Sequence, residues 1–170
     1  ERRYSVTAAM LLCDVGLFGA GLWLVDGGST AGFLAAQPIF ATVFFRSFGI
    51  LHEAGHGNCS SRRWLNTLTG HWASLWCFTP FFPWKDLHQK HHVWTGNAER
   101  DPTMRNLKVW RDARHVPWPV RFGWRSWVPL AALAQHLVFL AYPFRLMRED
   151  PTKIPEAALS VLFLPVAYGG

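Results

Sequence analysis

Long uncharged runs separated by short polar turns dominate the chain. Between Tyr4 and Phe45 the only charged residues are Asp14 and Asp26, and none falls in 64–84, 126–144 or 157–170. An α-helix rises about 1.5 Å per residue, so roughly 20 apolar residues cross the roughly 30 Å hydrocarbon layer of a bilayer. The runs 6–25, 31–51 and 126–144 meet that length and are predicted membrane spans. The run from residue 157 begins another, which is incomplete at residue 170. Asp26-Gly27-Gly28-Ser29-Thr30 is a short glycine-rich turn, so the first two spans should form an antiparallel hairpin. Asp14 is costly in lipid and should face other helices or water. Arg46 should snorkel to the headgroups. Residues 145–156 read as a charged turn between the last two spans.

Composition strengthens this picture. Half of the 170 residues are hydrophobic and 16% are charged, against roughly 25% charged in soluble domains. The net charge is +6, and 85–125 holds nine basic against four acidic residues. Basic residues flanking apolar runs mark loops kept on the cytoplasmic side. Trp110, Trp118, Trp124 and Trp127 suit a surface against the headgroups. No nucleic-acid recognition signature accompanies the charge, so nucleic acid is not an expected partner. Cys13, Cys59 and Cys77 form no disulfide framework.

The chemistry lies in the histidines. Five of eight fall in two groups, His52-Glu53-Ala54-Gly55-His56 and His88-Gln89-Lys90-His91-His92. On a helix, residues four apart lie about 40° apart, and the three rings of the second group span roughly 100°. Each group can therefore turn its imidazoles toward one point, and neutral imidazole suits iron, zinc, copper and nickel. Surface histidines beside a membrane would not cluster in this way. The first group also fits H-E-x-x-H, in which His52 and His56 would hold zinc and Glu53 would be the general base of an intramembrane metalloprotease. A single zinc takes four ligands and leaves the second group without a role. A larger histidine set points to two metals of higher coordination.

The first group followed by Gly57, together with Trp84-Lys85-Asp86-Leu87-His88-Gln89-Lys90-His91-His92 and Thr95-Gly96-Asn97-Ala98-Glu99-Arg100-Asp101, resembles the membrane fatty-acid desaturase family. It looks most like acyl-lipid desaturases acting toward the methyl end of the chain. The resemblance implies an enzyme with two non-haem irons that uses O2 and two electrons to desaturate a fatty acyl chain in a membrane lipid. His52, His56, His88, His91 and His92 would be the iron ligands. The redox donor would be of ferredoxin or cytochrome b5 type. A third histidine group would follow residue 170, so these residues are expected to be an N-terminal piece, inactive alone. Hydroxylation of a lipid, or hydroxylation or ketolation of a carotenoid, is the neighbouring alternative in the same superfamily. Zinc, being redox-inactive, could not drive such chemistry.

Further candidates surround the groups. Glu53 and Asp86 could hold ligand imidazoles. Glu99, Arg100 and Asp101 could anchor their loop or meet a lipid headgroup. Phe78, Phe81, Phe82 and Trp84 could wall an acyl tunnel or form an interfacial belt. His71 and His136 read as hydrogen-bonded structural residues, a haem b pair being the other use. His115 should be solvated. A shared site needs both histidine groups on one side of the membrane. The uncharged stretch 64–84 should therefore be re-entrant or interfacial, with Pro80 and Pro83 as the break. The expected fold is a single all-α, multi-pass transmembrane helical domain with a cytoplasmic, histidine-rich metal cap.

Overall fold

A computed structural model describes residues 4–103, 118, 121–122 and 130–169. Most of 104–129 lies outside the described residues. With it go the Trp110, Trp124 and Trp127 surface, His115, nearly half of the basic stretch, and the start of the 126–144 span. Every regular element among the described residues is helical: α1 (Tyr4–Asp26), α2 (Thr30–Gly55), α3 (Arg63–Cys77), α4 (Phe81–Trp94), α5 (Leu130–Glu149), a 3-10 turn (Pro151–Lys153) and α6 (Ile154–Gly169). The chain forms two compact units, Glu1–Phe81 with Leu164–Gly170, and Phe82–Phe163.

In the first unit, α1 and α2 are long and apolar enough to cross a membrane. Their outer faces are not covered by protein. α1 buries only Asp14 and Gly21, while Leu12 and Trp23 are 73% and 74% exposed. Such a helix has no soluble core to enter and suits lipid. The hairpin turn uses Gly28 at φ 66°, where only glycine is unstrained. The Ser29 hydroxyl then caps α2 by accepting the Gly32 N–H at 3.0 Å. Gly21 lets the ring of Phe40 approach: a Cβ there would meet it at 2.5 Å.

Asp14 sets the register of the hairpin. It is fully buried and faces α2, as a carboxylate in a span must. Arg46 does not snorkel outward. Its Nε donates to Asp14 Oδ1 at 2.6 Å, because an unpaired buried carboxylate costs several kcal/mol. Ser47 Oγ adds a longer donor at 3.4 Å.

After α2 the chain turns through Gly57 at φ 71°. Asn66 of α3 fastens this loop: its Oδ1 accepts the Ser60 N–H at 3.0 Å and its Nδ2 donates to the Ser60 carbonyl at 2.7 Å. The buried face of α3 is Asn66, Thr69, Gly70, Ala73, Ser74 and Cys77. These follow the helical period and are small, so α3 lies close against α2. With 15 residues, α3 is about 22 Å long and short of a bilayer crossing. It ends at Phe78, whose left-handed φ of 50° breaks 64–84 into two helices ahead of Pro80. Phe81 is buried, its ring against Gly70.

In the second unit, Leu87 of α4, Tyr142 and Leu146 of α5, and Ala157 of α6 form the core, with Val138, Phe139 and Met147 beside it. Trp84 is also buried. The expected charged turn is shorter than predicted. α5 continues to Glu149, and Arg145 Nε pairs with Glu149 Oε1 one turn on, at 2.7 Å. Only 150–153 turn, and the Asp150 carboxylate accepts the Thr152 N–H at 3.1 Å.

Two outcomes test this packing in the full-length protein in detergent. Arg46→Leu should cost about 2–3 kcal/mol, below the value for a fully enclosed pair because Arg46 is one-third exposed. Arg46→Leu combined with Asp14→Leu should recover most of the loss. Thermal melting that is unchanged by the single variant would contradict the pairing. Gly70→Ala should destabilise by about 1–3 kcal/mol, since its Cβ would meet the Phe81 ring at 2.2 Å. Gly16→Ala, with open space around the Cβ, should be neutral or slightly stabilising.

Candidate metal centre

Each unit carries one histidine group at the polar end of a helix. In the first, the last turn of α2 presents His52, and His56 caps that helix. Their ring centroids are 4.6 Å apart, and their ligand nitrogens lie within 4.8 Å of each other. Glu53 bridges this end of the helix to the following loop. Its Oε1 lies 3.0 Å from His52 Nδ1 and its Oε2 accepts from Asn58 Nδ2 at 2.9 Å. A carboxylate on Nδ1 favours the Nδ1–H tautomer and leaves Nε2 of His52 as the ligand atom.

In the second, α4 stacks His88 and His92 one turn apart. Their Nε2 atoms are 3.0 Å from each other. Two nitrogens bound about 2.1 Å from one metal and set at right angles lie about 3.0 Å apart. The pair is thus close enough for both nitrogens to hold one metal ion. The same distance serves an N–H···N hydrogen bond in the metal-free chain. Trp84, one turn earlier on the same face, lies parallel to the His88 ring at 4.6 Å and restricts its rotation. The donor chemistry of both groups, imidazoles with a carboxylate behind one ring of each, fits a first-row transition metal.

His91 is turned differently. Its ring centroid is 6.2 Å from that of His88 and 5.7 Å from that of His92, and its Nδ1 meets both oxygens of Asp101 at 3.0 and 2.9 Å. Burial alone would raise the Asp101 carboxyl, but hydrogen bonds from Thr103 and His91 outweigh it and hold its pKa below the ordinary value. Asp101 is thus an internal group, fully buried. Its neighbours anchor the loop: the Arg100 guanidinium lies over the Trp94 ring at 4.5 Å, and Glu99 is exposed with its N–H on Asn97 Oδ1.

Asp86 directs its carboxylate to Lys90 Nζ at 2.6 Å and receives the Tyr142 hydroxyl at 2.7 Å. Lys90 also donates to the Tyr142 oxygen at 3.0 Å. Burial opposes the charge of Lys90, yet the bonds to Asp86 and Tyr142 raise its pKa. The network ties α4 to α5 and so fixes the helix that bears the second group. Tyr142 was not singled out by the sequence; a tyrosine in an apolar run gives no sign of a partner 56 residues away. His71 lies in α3 with its ring 5.4 Å from that of Phe81, and His136 is half-buried in α5. Neither joins a metal-holding cluster among the described residues.

The comparisons with known proteins point the same way as the histidines. The model of the fatty acid desaturase family matches residues 28–170. A protein of Nostoc sp. (strain 36) named sn-1 acyl-lipid omega-3 desaturase (ferredoxin) is 33% identical over 68% of this chain and 30% of its own. The protein of the same name from Synechocystis sp. is 29% identical over 78% of this chain and 38% of its own. The Delta(12) fatty acid desaturase fat-2 of Caenorhabditis elegans is 43% identical over a shorter stretch, 32% of this chain and 14% of its own. The chain thus spans about a third of the length of the first two relatives. No solved structure matches. With the family model covering most of its length, the chain belongs to the fatty acid desaturase family.

Proposed function

We propose that these residues form the part of an acyl-lipid desaturase that supplies two of its histidine groups. His52, His56, His88, His91 and His92 would hold two non-haem iron ions. The paired Nε2 atoms of His88 and His92, 3.0 Å apart in a chain of this family, carry the reading. Bound iron would supply the oxidising chemistry: an acyl –CH2–CH2– segment, O2, two electrons and two protons give –CH=CH– and two waters.

The chain's own residues do the holding. Glu53 and Trp84 orient His52 and His88, so little ring freedom is lost when a metal binds. The Asp86–Lys90–Tyr142 network keeps α4 in place while its last two turns carry the ligands. The uncovered apolar faces of α1 and α2 would lie in lipid, where the substrate also lies. The shortness of α3 and the break at Phe78 support a 64–84 stretch that lies in the interface and does not cross. Such a path keeps both histidine groups on one side of a multi-pass protein, and the basic residues of 85–125 favour the cytoplasmic side. The relatives' names favour ferredoxin over cytochrome b5 as the kind of donor.

In the full-length protein, alanine at any one of the five histidines should abolish formation of the unsaturated product, read as the fatty-acid profile of lipids from expressing cells. His115→Ala should leave the profile unchanged. Full product from any of the five variants would remove that residue from the site, and hydroxylated product from the unaltered protein would favour the hydroxylase chemistry instead.

Electron delivery gives a second outcome. The 85–125 stretch has a net charge of +5, and an acidic soluble donor should be steered to it. Turnover with ferredoxin should fall as ionic strength rises from about 0.01 to 0.15 M, where the screening length shrinks from about 30 to 8 Å. A rate indifferent to salt would contradict docking on this stretch.

A further inference from the structure

The loop after α4 is built around one carboxylate. Gly96 takes φ 83°, which turns the chain back along the helix it has just left. Asn97 organises the return: its Oδ1 accepts the N–H groups of Glu99 and Arg100, each at 3.0 Å, and its carbonyl accepts the Asp101 N–H at 2.9 Å. Arg100 is pinned over Trp94. The outcome is that Asp101 faces inward with no exposed surface. A carboxylate cut off from water needs donors in its place. It finds the Thr103 N–H at 2.9 Å, the Thr103 hydroxyl at 2.7 Å and His91 Nδ1 at 2.9 Å. The first two close the loop, and the Thr103 hydroxyl, its proton given to Asp101, also sets its oxygen 3.0 Å from His91 Nδ1 as a further acceptor. The third reaches back ten residues, to the one histidine of its group whose ring is turned away from the His88–His92 pair.

We infer that Asp101 is a positioning residue for His91, holding the ring as its Nδ1–H tautomer so that Nε2 is the atom offered to a metal. An ionised carboxylate only accepts, so the proton between the two groups belongs to Nδ1. The lone pair is then on Nε2, and a carboxylate behind a ligand imidazole both fixes its orientation and raises its basicity. The assignment rests on the iron-binding reading above and gives the acidic loop a task distinct from headgroup contact. A loop-closing ion pair alone would leave the choice of ligand nitrogen undetermined.

The test uses the full-length protein, labelled with 15N-histidine, in metal-free form and then titrated with Fe2+ under anaerobic conditions. His91 is assigned by the signal missing from His91→Gln. Metal-free wild type should show His91 as the Nδ1–H tautomer. Asp101→Ala should convert it largely to the Nε2–H form and weaken iron binding at this position about 10–100-fold. Asp101→Asn keeps an acceptor oxygen. It should retain the tautomer, bind iron between the two extremes, and carry the test if the alanine variant fails to fold. An Nε2–H tautomer in wild type would overturn the inference, as would variants with unchanged tautomer and iron affinity. Wild type that takes up no iron would overturn the metal site, whereas the metal-free tautomer reports the Asp101–His91 bond independently. The two failures are therefore distinguishable.

Discussion

The four-residue spacing of histidines on an α-helix is the constraint on which the rest of the structure depends. It puts His52 above His56, and Trp84, His88 and His92 in one row, so each of these pairs of histidines faces one way without any help from distant chain, while His91 turns to Asp101. A helix end does this only if the helix itself is held. α2 is held by Asp14, whose burial obliges Arg46 to turn inward, and by the small-residue face of α3. α4 is held by the Leu87 core and by Asp86, Lys90 and Tyr142. Packing in each unit thus serves to keep a short polar segment rigid at the end of an apolar one.

Much of this was readable from residues. The hairpin followed from charge-free length and a glycine-rich turn, and α1 and α2 contain the predicted 6–25 and 31–51 runs. The histidine groups followed from spacing alone. The family resemblance carried by the motifs agrees with the match over 28–170. The break in 64–84 was expected at Pro80 and Pro83, but the chain turns at Phe78, two residues before Pro80, and Pro83 lies inside the first turn of α4.

What the sequence concealed were partners set by tertiary contact. Arg46 looked like a snorkelling residue because its position near a helix end says nothing of what the facing helix offers. α5 runs on to Glu149 through residues whose charges had suggested a turn, with Arg145 and Glu149 paired along the helix. Asp86 lies two residues before His88 and looked like its support, yet a helix points such neighbours about 160° apart. Asp101 is thirteen residues beyond His88 and is brought back to His91 only by the Gly96 turn. Its signal was present in the glycine and the Asn97 cap, but neither specifies which ring the returning carboxylate meets.

Iron held by the histidines would be visible in the purified protein. The direct measurement is the metal content of the full-length protein, purified in mild detergent without added metal and analysed alongside His88→Ala and His92→Ala. Two irons per chain in wild type, with loss of iron in both variants, is the predicted result. One zinc per chain, unaffected by either variant but lost from His52→Ala and His56→Ala, would contradict the account and restore the H-E-x-x-H protease.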